Sequence, residues 1–297
     1  FEEYLHGTDG VKLTTVDTEG NVVSEYFQTE PKAGANVETT IDLNMQIAAE
    51  TALEQVILEL REEGLGQKHE GQDAEGGAVV AIDVKTGQVL ACASYPTYNP
   101  ATYSQDFNQL LKTEWDPLYN RALQATYAPG SVFKMAVTIA AINDGEISSS
   151  TTIEDKGVYT KYEDEGYTPQ CLIYTNYKQT HGVINVEEAL AVSCNYFFYE
   201  AGIRTGMPDI DAVAKDLGLG EKTGVELFEE QGHRANAESK AALYADDPSR
   251  SGWYDADTLM LSIGQSECAF TPIQLASYTA ALANRGVRYR ATFLNRV

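Results

Sequence analysis

The sequence predicts an α+β domain, with an antiparallel sheet flanked by helices. Three observations predict it. Val79-Val80-Ala81-Ile82-Asp83 and Gln88-Val89-Leu90-Ala91 are short β-type runs on either side of a glycine-containing break, which reads as a hairpin. Helical periods occur both before and after that hairpin, not in strict alternation with strands, as in helices bracketing a split sheet. The chain also shows no internal repeat and no low-complexity tract.

The elements follow in order. Residues 1–37 are rich in Gly, Thr, Val and acidic groups and read as short strands with turns. From Leu43 to Leu60, the apolar residues Ile47, Ala48, Leu53, Val56, Ile57 and Leu60 recur with a helix-like period. Glu62 to Gly77 is charged and glycine-rich, the composition of a mobile loop. The hairpin from Ala78 to Ser94 comes next, then an aromatic, irregular stretch with short helices from Pro96 to Tyr127. Thr151 to Tyr177 is acidic and tyrosine-rich, and is expected to form short strands or loop on a solvated surface. Helices are predicted at Val186–Arg204, Ile210–Leu217 and Thr271–Asn284.

Composition narrows the function. An apolar content of 43% supplies a core, and no run approaches the ~18 apolar residues of a membrane span. A formal charge of −23 argues against nucleic acid as a partner, because phosphate contacts need a basic footprint. It also disfavours docking of this domain on an anionic membrane surface.

The chemistry begins at Tyr127-Ala128-Pro129-Gly130-Ser131-Val132-Phe133-Lys134. Pro129-Gly130 is a natural start for a helix, which puts Ser131 in its first turn, where free N–H groups favour developing negative charge. Residues i and i+3 share a helix face, so the Lys134 amine is expected to reach the Ser131 hydroxyl. A serine becomes a nucleophile when a neighbouring base takes its proton, and a partly buried lysine can be tuned to do so. A Ser-x-x-Lys pair arises about once by chance in a chain of this length, so a second element has to carry the reading. Ser193-Cys194-Asn195 supplies it. Ser-x-x-Lys followed by Ser-x-Asn is the motif order of penicillin-recognising serine enzymes, and each motif occurs once.

The wider context resembles the class B penicillin-binding proteins over nearly the whole chain. The resemblance is carried by Arg121-Ala122 ahead of the Ser131 segment and by His181-Gly182 ahead of Ser193-Cys194-Asn195-Tyr196-Phe197-Phe198-Tyr199. Ile263-Gly264-Gln265, Thr271-Pro272-Ile273-Gln274 and the early Gly34, Thr40-Ile41-Asp42 and Gln46 add to it. It implies a transpeptidase fold of the penicillin-binding and serine β-lactamase type, its final strands lacking from this chain. It also implies a D,D-transpeptidase that cross-links peptidoglycan stem peptides through an acyl-serine intermediate and binds β-lactam antibiotics.

In that resemblance Ser131 is the nucleophile and Lys134 its base. Ser193 relays a proton to the leaving amine, and Asn195 holds Lys134 while binding the substrate backbone with Ser193. No cofactor is required. The family is tethered to the bacterial membrane with its catalytic domain outside the cytoplasm, alongside a glycosyltransferase of the elongation or division machinery. The resemblance places residues 1–37 as a link to a pedestal and membrane anchor, and residues 38–297 as the transpeptidase domain. A class A β-lactamase would need a deacylating glutamate that the chain does not show. A β-lactam sensor or a non-catalytic scaffold of the cell-wall machinery is the alternative.

The family's third motif, Lys-Thr-Gly on a strand, occurs here twice in unsuitable places. Lys85-Thr86-Gly87 lies at the hairpin turn and precedes the nucleophile; Lys222-Thr223-Gly224 follows Leu217-Gly218-Leu219-Gly220 closely and reads as a loop. The domain is therefore expected to stop short of that strand and to be impaired in catalysis, unless Lys222-Thr223-Gly224 has taken over its role.

The four cysteines, Cys92, Cys171, Cys194 and Cys268, form no Cys-x-x-Cys pair and no disulfide framework. Cys171, His181 and Cys194 bracket the Ser-x-Asn segment in a mixture that a structural zinc accepts, with Cys268 or an acidic side chain as the fourth ligand. The sequence favours the plainer alternative, in which Cys92 and Cys194 are small buried apolar residues. A bridge between two of the cysteines is the third option.

Overall fold

The computed structural model describes residues 1–66 and 69–297. A short helix α1 (Glu2–Leu5) precedes the antiparallel pair β1 (Val11–Val16) and β2 (Val22–Thr29), which is exposed along its whole length. Strand β3 (Glu38–Thr39) then leads into α2 (Leu43–Glu63), whose start is fixed by the Asp42 side chain accepting from Met45 N–H. The glycine-rich stretch between Glu62 and Gly77 includes Gln67 and Lys68, which lie outside the described residues. On either side of them Leu65 bridges Glu70, and the Arg61 guanidinium donates to the carbonyls of Ala74 and Glu75.

Strands β4 (Gly77–Ile82) and β5 (Val89–Tyr95) form the expected antiparallel hairpin. Side chains alternate between the two faces of a strand, so Gly77 meets Leu53 and Ile57 of α2, while Val80 and Ile82 face α11 (Pro272–Ala283). The hairpin is thus flanked by helices on both sides. After α3 (Tyr103–Leu110), a 3-10 turn at Gly130–Phe133 runs directly into α4 (Lys134–Asn143).

Strands β6 (Thr152–Asp155) and β7 (Gly182–Asn185) pair antiparallel across α5 (Leu172–Tyr177). Helices α6 (Val186–Ala191), α7 (Asn195–Thr205), α8 (Met207–Asp216), α9 (Ala237–Leu243) and α10 (Asp255–Leu261) follow. The chain closes with α11 and β8 (Leu294–Arg296), which pairs with β3. Among the described residues, no helix is long and apolar enough to cross a membrane.

The main core is helical. Phe133, Val137 and Ala140 of the nucleophile segment pack with Phe197, Phe198 and Ala201 of α7, Ile210 of α8, Leu259 of α10 and Tyr278 of α11. Helices α7 and α10 meet at Gly202, where an added Cβ would lie 1.7 Å from Ser262 Oγ, so no larger residue fits. The Thr-Pro-x-Gln sequence is a helix start with a physical purpose. Thr271 caps α11 in a capping box with Gln274, and Pro272 occupies the first turn, where its missing N–H costs nothing.

Two expectations are corrected. The helix predicted at Val186–Arg204 is two helices, broken at Val192-Ser193-Cys194, with Ser193 in the left-handed region at φ 53°. The break is stabilised from outside the helix, because both the carbonyl and the hydroxyl of Ser193 accept from Lys134. The Thr151–Tyr177 stretch is a solvated surface only in part: most of its residues are exposed, but some of its aromatic residues turn inward. Tyr159, Tyr162 and Cys171 are buried in the main core, and Tyr159 donates to Glu200 at 2.7 Å, so each ring is buried while its hydroxyl keeps a polar partner where one is needed.

Candidate active site

Ser131 is exposed at the first turn of the helical run, directly after Gly130, whose φ of 58° makes the sharp approach. Lys134, one turn on, is only 1% exposed. Its Nζ donates to Ser193 O at 2.9 Å, Ser193 Oγ at 3.0 Å and Asn195 Oδ1 at 2.6 Å. Three donors meet three acceptors, so the buried ammonium is fully satisfied. Ser193 Oγ in turn donates to Ser131 Oγ at 2.9 Å.

The four residues singled out in sequence therefore meet in one chain of hydrogen bonds. The connection differs from the one expected in a single respect. No hydrogen bond joins Ser131 and Lys134 directly among the described residues; Ser193 stands between them. Burial lowers the Lys134 pKa to about 8, partly offset by the sulfur charges of Cys194 and Cys171. A lysine so placed has a sizeable neutral fraction near neutral pH and can accept a proton along this chain.

The nucleophile turn is held by groups outside the two motifs. Gly130 N–H donates to Gly264 O at 2.9 Å, and Tyr278 Oη on α11 donates to Val132 O at 3.1 Å. Gly264 and the Thr-Pro-x-Gln helix were legible as motifs, but nothing in the sequence announced that Tyr278 would fasten to the residue after Ser131.

Neither Lys-Thr-Gly copy lies on a strand: the first is at a hairpin turn and the second in a loop. The N–H groups of Lys85 and Thr86 donate to Asp83 Oδ1, closing the β4–β5 hairpin. Thr223 and Gly224 are held by the Glu229 carboxylate, and Lys222 Nζ lies 5.6 Å from the centre of the Phe228 ring.

Behind Ser193, the side chains of Cys171, His181 and Cys194 converge, and Asp155 at the end of β6 joins them. One donor atom from each of the four lies within 4.8 Å of the others. Cys171 Sγ is 3.8 Å from Cys194 Sγ and 3.7 Å from His181 Nδ1, and Asp155 Oδ2 is 2.7 Å from His181 Nδ1. Burial works against the Asp155 carboxylate, but hydrogen bonds from His181 and Gly157 outweigh it and hold its pKa low. The hydrogen bond from Cys194 pulls the Cys171 thiol down to about 6, while the same contact and burial push Cys194 up.

This donor set fits zinc. Two sulfurs about 2.3 Å from one ion at the tetrahedral angle stand about 3.8 Å apart, and an S₂NO set of thiolates, imidazole and carboxylate is within zinc's range. Cys268 is not part of the group; its sulfur accepts from Ala235 N–H in the core. Asp155 is the member the sequence did not name. The alternating Thr152-Ile153-Glu154-Asp155 run was the available signal, because pairing it with Gly182-Val183-Ile184-Asn185 sets Asp155 opposite Gly182 and so beside His181.

Comparison with known proteins bears on the family and the fold. The penicillin binding protein transpeptidase domain matches residues 77–297. The chain belongs to that family. Among curated members, the peptidoglycan D,D-transpeptidase MrdA of Acinetobacter baumannii is 30% identical over 96% of this chain and 39% of its own length. MrdA of Escherichia coli is 31% identical over 97% of this chain and 42% of its own. PbpA of Mycobacterium tuberculosis is 30% identical over 91% of this chain and 50% of its own.

This transpeptidase-family chain therefore spans about two-fifths to half the length of the curated relatives it matches. A solved structure described as the structural coordination of polymerization and crosslinking by a peptidoglycan synthase complex superposes with a TM-score of 0.82. It is 31% identical and covers 99% of this chain and 50% of the matched one. PBP2 of Pseudomonas aeruginosa superposes at 0.75 with 30% identity, over 90% of this chain and 56% of its own. The fold is that of the family, α+β with helices around antiparallel strands.

Proposed function

We propose that this chain carries the catalytic centre of a serine-type D,D-transpeptidase that cross-links peptidoglycan stem peptides and is acylated by β-lactams. The observation that carries the reading is the unbroken hydrogen-bond chain from Ser131 through Ser193 to Lys134, closed by Asn195.

The Ser131 hydroxyl oxygen attacks the carbonyl carbon of the penultimate D-alanine. Its proton passes to Ser193, whose own proton passes to neutral Lys134. The ester forms as the peptide bond to the terminal D-alanine breaks, and the proton returns through Ser193 to the departing amine. An amine from a second stem peptide then attacks the ester carbonyl, the new peptide bond forms, and Ser131 recovers its hydroxyl hydrogen. Positioned proton transfer of this type contributes ~10²–10⁴ in rate. The Asn195 carboxamide fixes the amine and offers its N–H₂ to the substrate backbone. A β-lactam follows the same first step through its strained amide.

The group Asp155, Cys171, His181 and Cys194 holds a structural zinc in this reading. Ser131 chemistry needs no Lewis acid from it. The ion instead fixes Cys194, and with it the neighbouring Ser193 and Asn195. The protein works with other cell-wall proteins, a glycosyltransferase among them, on the extracytoplasmic side of the bacterial membrane. The similarity to a chain of a peptidoglycan synthase complex supports the cell-wall partners.

The decisive experiment treats the intact protein with a labelled penicillin and maps the adduct by mass spectrometry. A stable acyl group on Ser131, lost in Lys134→Ala, is the expected result. Rapid turnover of the antibiotic would indicate a lactamase, an absence of any adduct would indicate a scaffold, and an adduct elsewhere would remove Ser131 from the centre of the mechanism.

A further inference from the structure

The second Lys-Thr-Gly copy borders a recess of about 210 Å³, which is lined by none of Ser131, Lys134, Ser193 and Asn195. It lies between the loop after α8, the Ser277 side of α11 and the segment Arg288-Tyr289-Arg290. Its lining brings together the side chains of Lys222, Arg288 and Arg290. From these features we infer that the recess is a binding site for a phosphate group, carried by a small molecule or a lipid headgroup.

The surrounding composition makes the grouping informative. With 44 acidic residues against 21 basic ones, a cation on this chain readily finds a carboxylate. These three are poorly neutralised. Among the described residues, no carboxylate lies within salt-bridge distance of Lys222. Arg288 reaches only Glu221, at 3.5 Å, and Arg290 only Glu226, at 3.7 Å. The Glu226 carboxylate is already accepting from Thr292 Oγ1 and Phe293 N–H, and Glu229 is occupied by Thr223 and Gly224. Three cations thus stand beside three carboxylates, Glu221, Glu226 and Glu229, of which two are turned to other donors, so the guanidiniums are only loosely paired.

The recess also has built features. Arg288 and Arg290 flank Tyr289, and all three line the recess. Each arginine is accommodated by a glycine in the left-handed region. A Cβ on Gly218 (φ 85°) would lie 2.0 Å from Arg288 Nη1, and one on Gly224 (φ 92°) would lie 2.9 Å from Arg290 Cγ. The loop itself is tied to α11, because Gln274 Nε2 donates to Glu221 O at 2.6 Å. Ser277 Oγ, a further lining group, is buried and has no hydrogen-bond partner among the described residues.

The donors match phosphate more closely than a carboxylate. Arg290 Nε already donates to Gly224 O at 2.6 Å, which leaves its two terminal nitrogens, the Arg288 fork and the Lys222 ammonium to engage several oxygens, and Arg is suited to bidentate phosphate contacts.

Calorimetric titration of the 297-residue chain with inorganic phosphate and with glycerol phosphate, at low ionic strength, tests the inference. One saturable site is expected. Arg288→Gln should weaken it at least tenfold and Lys222→Gln at least threefold, with circular dichroism showing both variants folded. Arg250→Gln, whose guanidinium stacks on Tyr244 away from the recess, should leave it unchanged. Sedimentation with phosphatidylglycerol but not phosphatidylcholine vesicles, reversed by inorganic phosphate, would assign the site to a lipid headgroup; phosphate binding without sedimentation would assign it to a soluble ligand. No saturable binding, binding indifferent to both substitutions, or acetate binding as tightly as phosphate would overturn the inference.

Discussion

Gly264 presses on Gly130 closely enough that a Cβ on Gly264 would lie 2.1 Å from the Gly130 carbonyl oxygen. Gly264 also has a φ of 70°, and its own carbonyl accepts from Gly130 N–H. The obstacle to a side chain is backbone, which cannot swing aside as a long side chain can. Gly264→Ala should therefore displace the turn that presents Ser131. We expect the acylation rate to fall at least tenfold and stability to drop by about 2 kcal/mol, from left-handed strain plus the clash. Stopped-flow acylation by a fluorescent penicillin, paired with a thermal melt, checks both. Near-normal kinetics would mean that the turn tolerates the shift.

The pH dependence of acylation should follow Lys134. The neutral amine is the proton acceptor, and its pKa is lowered to about 8, chiefly by burial. Below that value the reactive fraction falls tenfold per unit, so the rate should climb with pH up to about 8 and level off above it. Lys134→Arg, which cannot lose its proton, should abolish acylation rather than shift the curve. A rate independent of pH between 6 and 8 would exclude Lys134 as the base.

Ser193 separates chemistry from stability. At φ 53° a serine is strained, and glycine adopts that conformation freely. Ser193→Gly should leave stability within about 1 kcal/mol of the parent or above it, while removing the hydroxyl between Ser131 and Lys134 lowers acylation by ~10²–10⁴. Ser193→Ala should lose the same activity and also some stability. Equal acylation by the parent and Ser193→Gly would show that the relay is not needed.

Lys222→Ala should change the acylation rate less than ~3-fold, well below the 1.4 kcal/mol of a tenfold loss. Its ammonium faces the Phe228 ring, and its neighbours Thr223 and Gly224 are held in a loop by Glu229. A loss comparable to that of Lys134→Ala would return the second Lys-Thr-Gly to the active centre.

The parts of the site that were legible in sequence are those specified by local chemistry. Ser131 and Lys134 sit one turn apart because the helix repeat puts them there, and Asp42 and Thr271 announce helix starts through caps that act within four residues. What was not legible depends on distant partners. Nothing local to Val192-Ser193-Cys194 calls for a left-handed serine; Lys134, brought in by another helix, holds it there. The Tyr159 and Tyr162 rings looked solvated because acidic residues surround them in sequence, whereas the fold turns the rings inward against α7 and leaves many of those acids outside. Asp155 takes its place beside His181 through the long-range pairing of β6 with β7.

That pairing makes the metal prediction sharper than the three sequence-named residues allowed. Four buried or half-buried donors converge immediately behind Ser193 and Asn195, with Cys194 between those two in sequence and at the N-cap of α7. An ion there would pin the start of α7, and through it the acceptors that hold Lys134. Protein purified without added metal should contain about one zinc per chain, and Cys171→Ala or His181→Ala should contain none. Stripping the ion with a chelator should lower the melting temperature by ~5–10 °C and slow acylation in parallel, both restored by added zinc, because binding energy and folding energy are the same quantity at such a site. Magnesium should restore neither, since hard cations avoid thiolates. Less than ~0.2 zinc per chain, with chelator-treated protein melting unchanged, would leave Cys171 and Cys194 as ordinary buried thiols and return the positioning of Ser193 to packing alone.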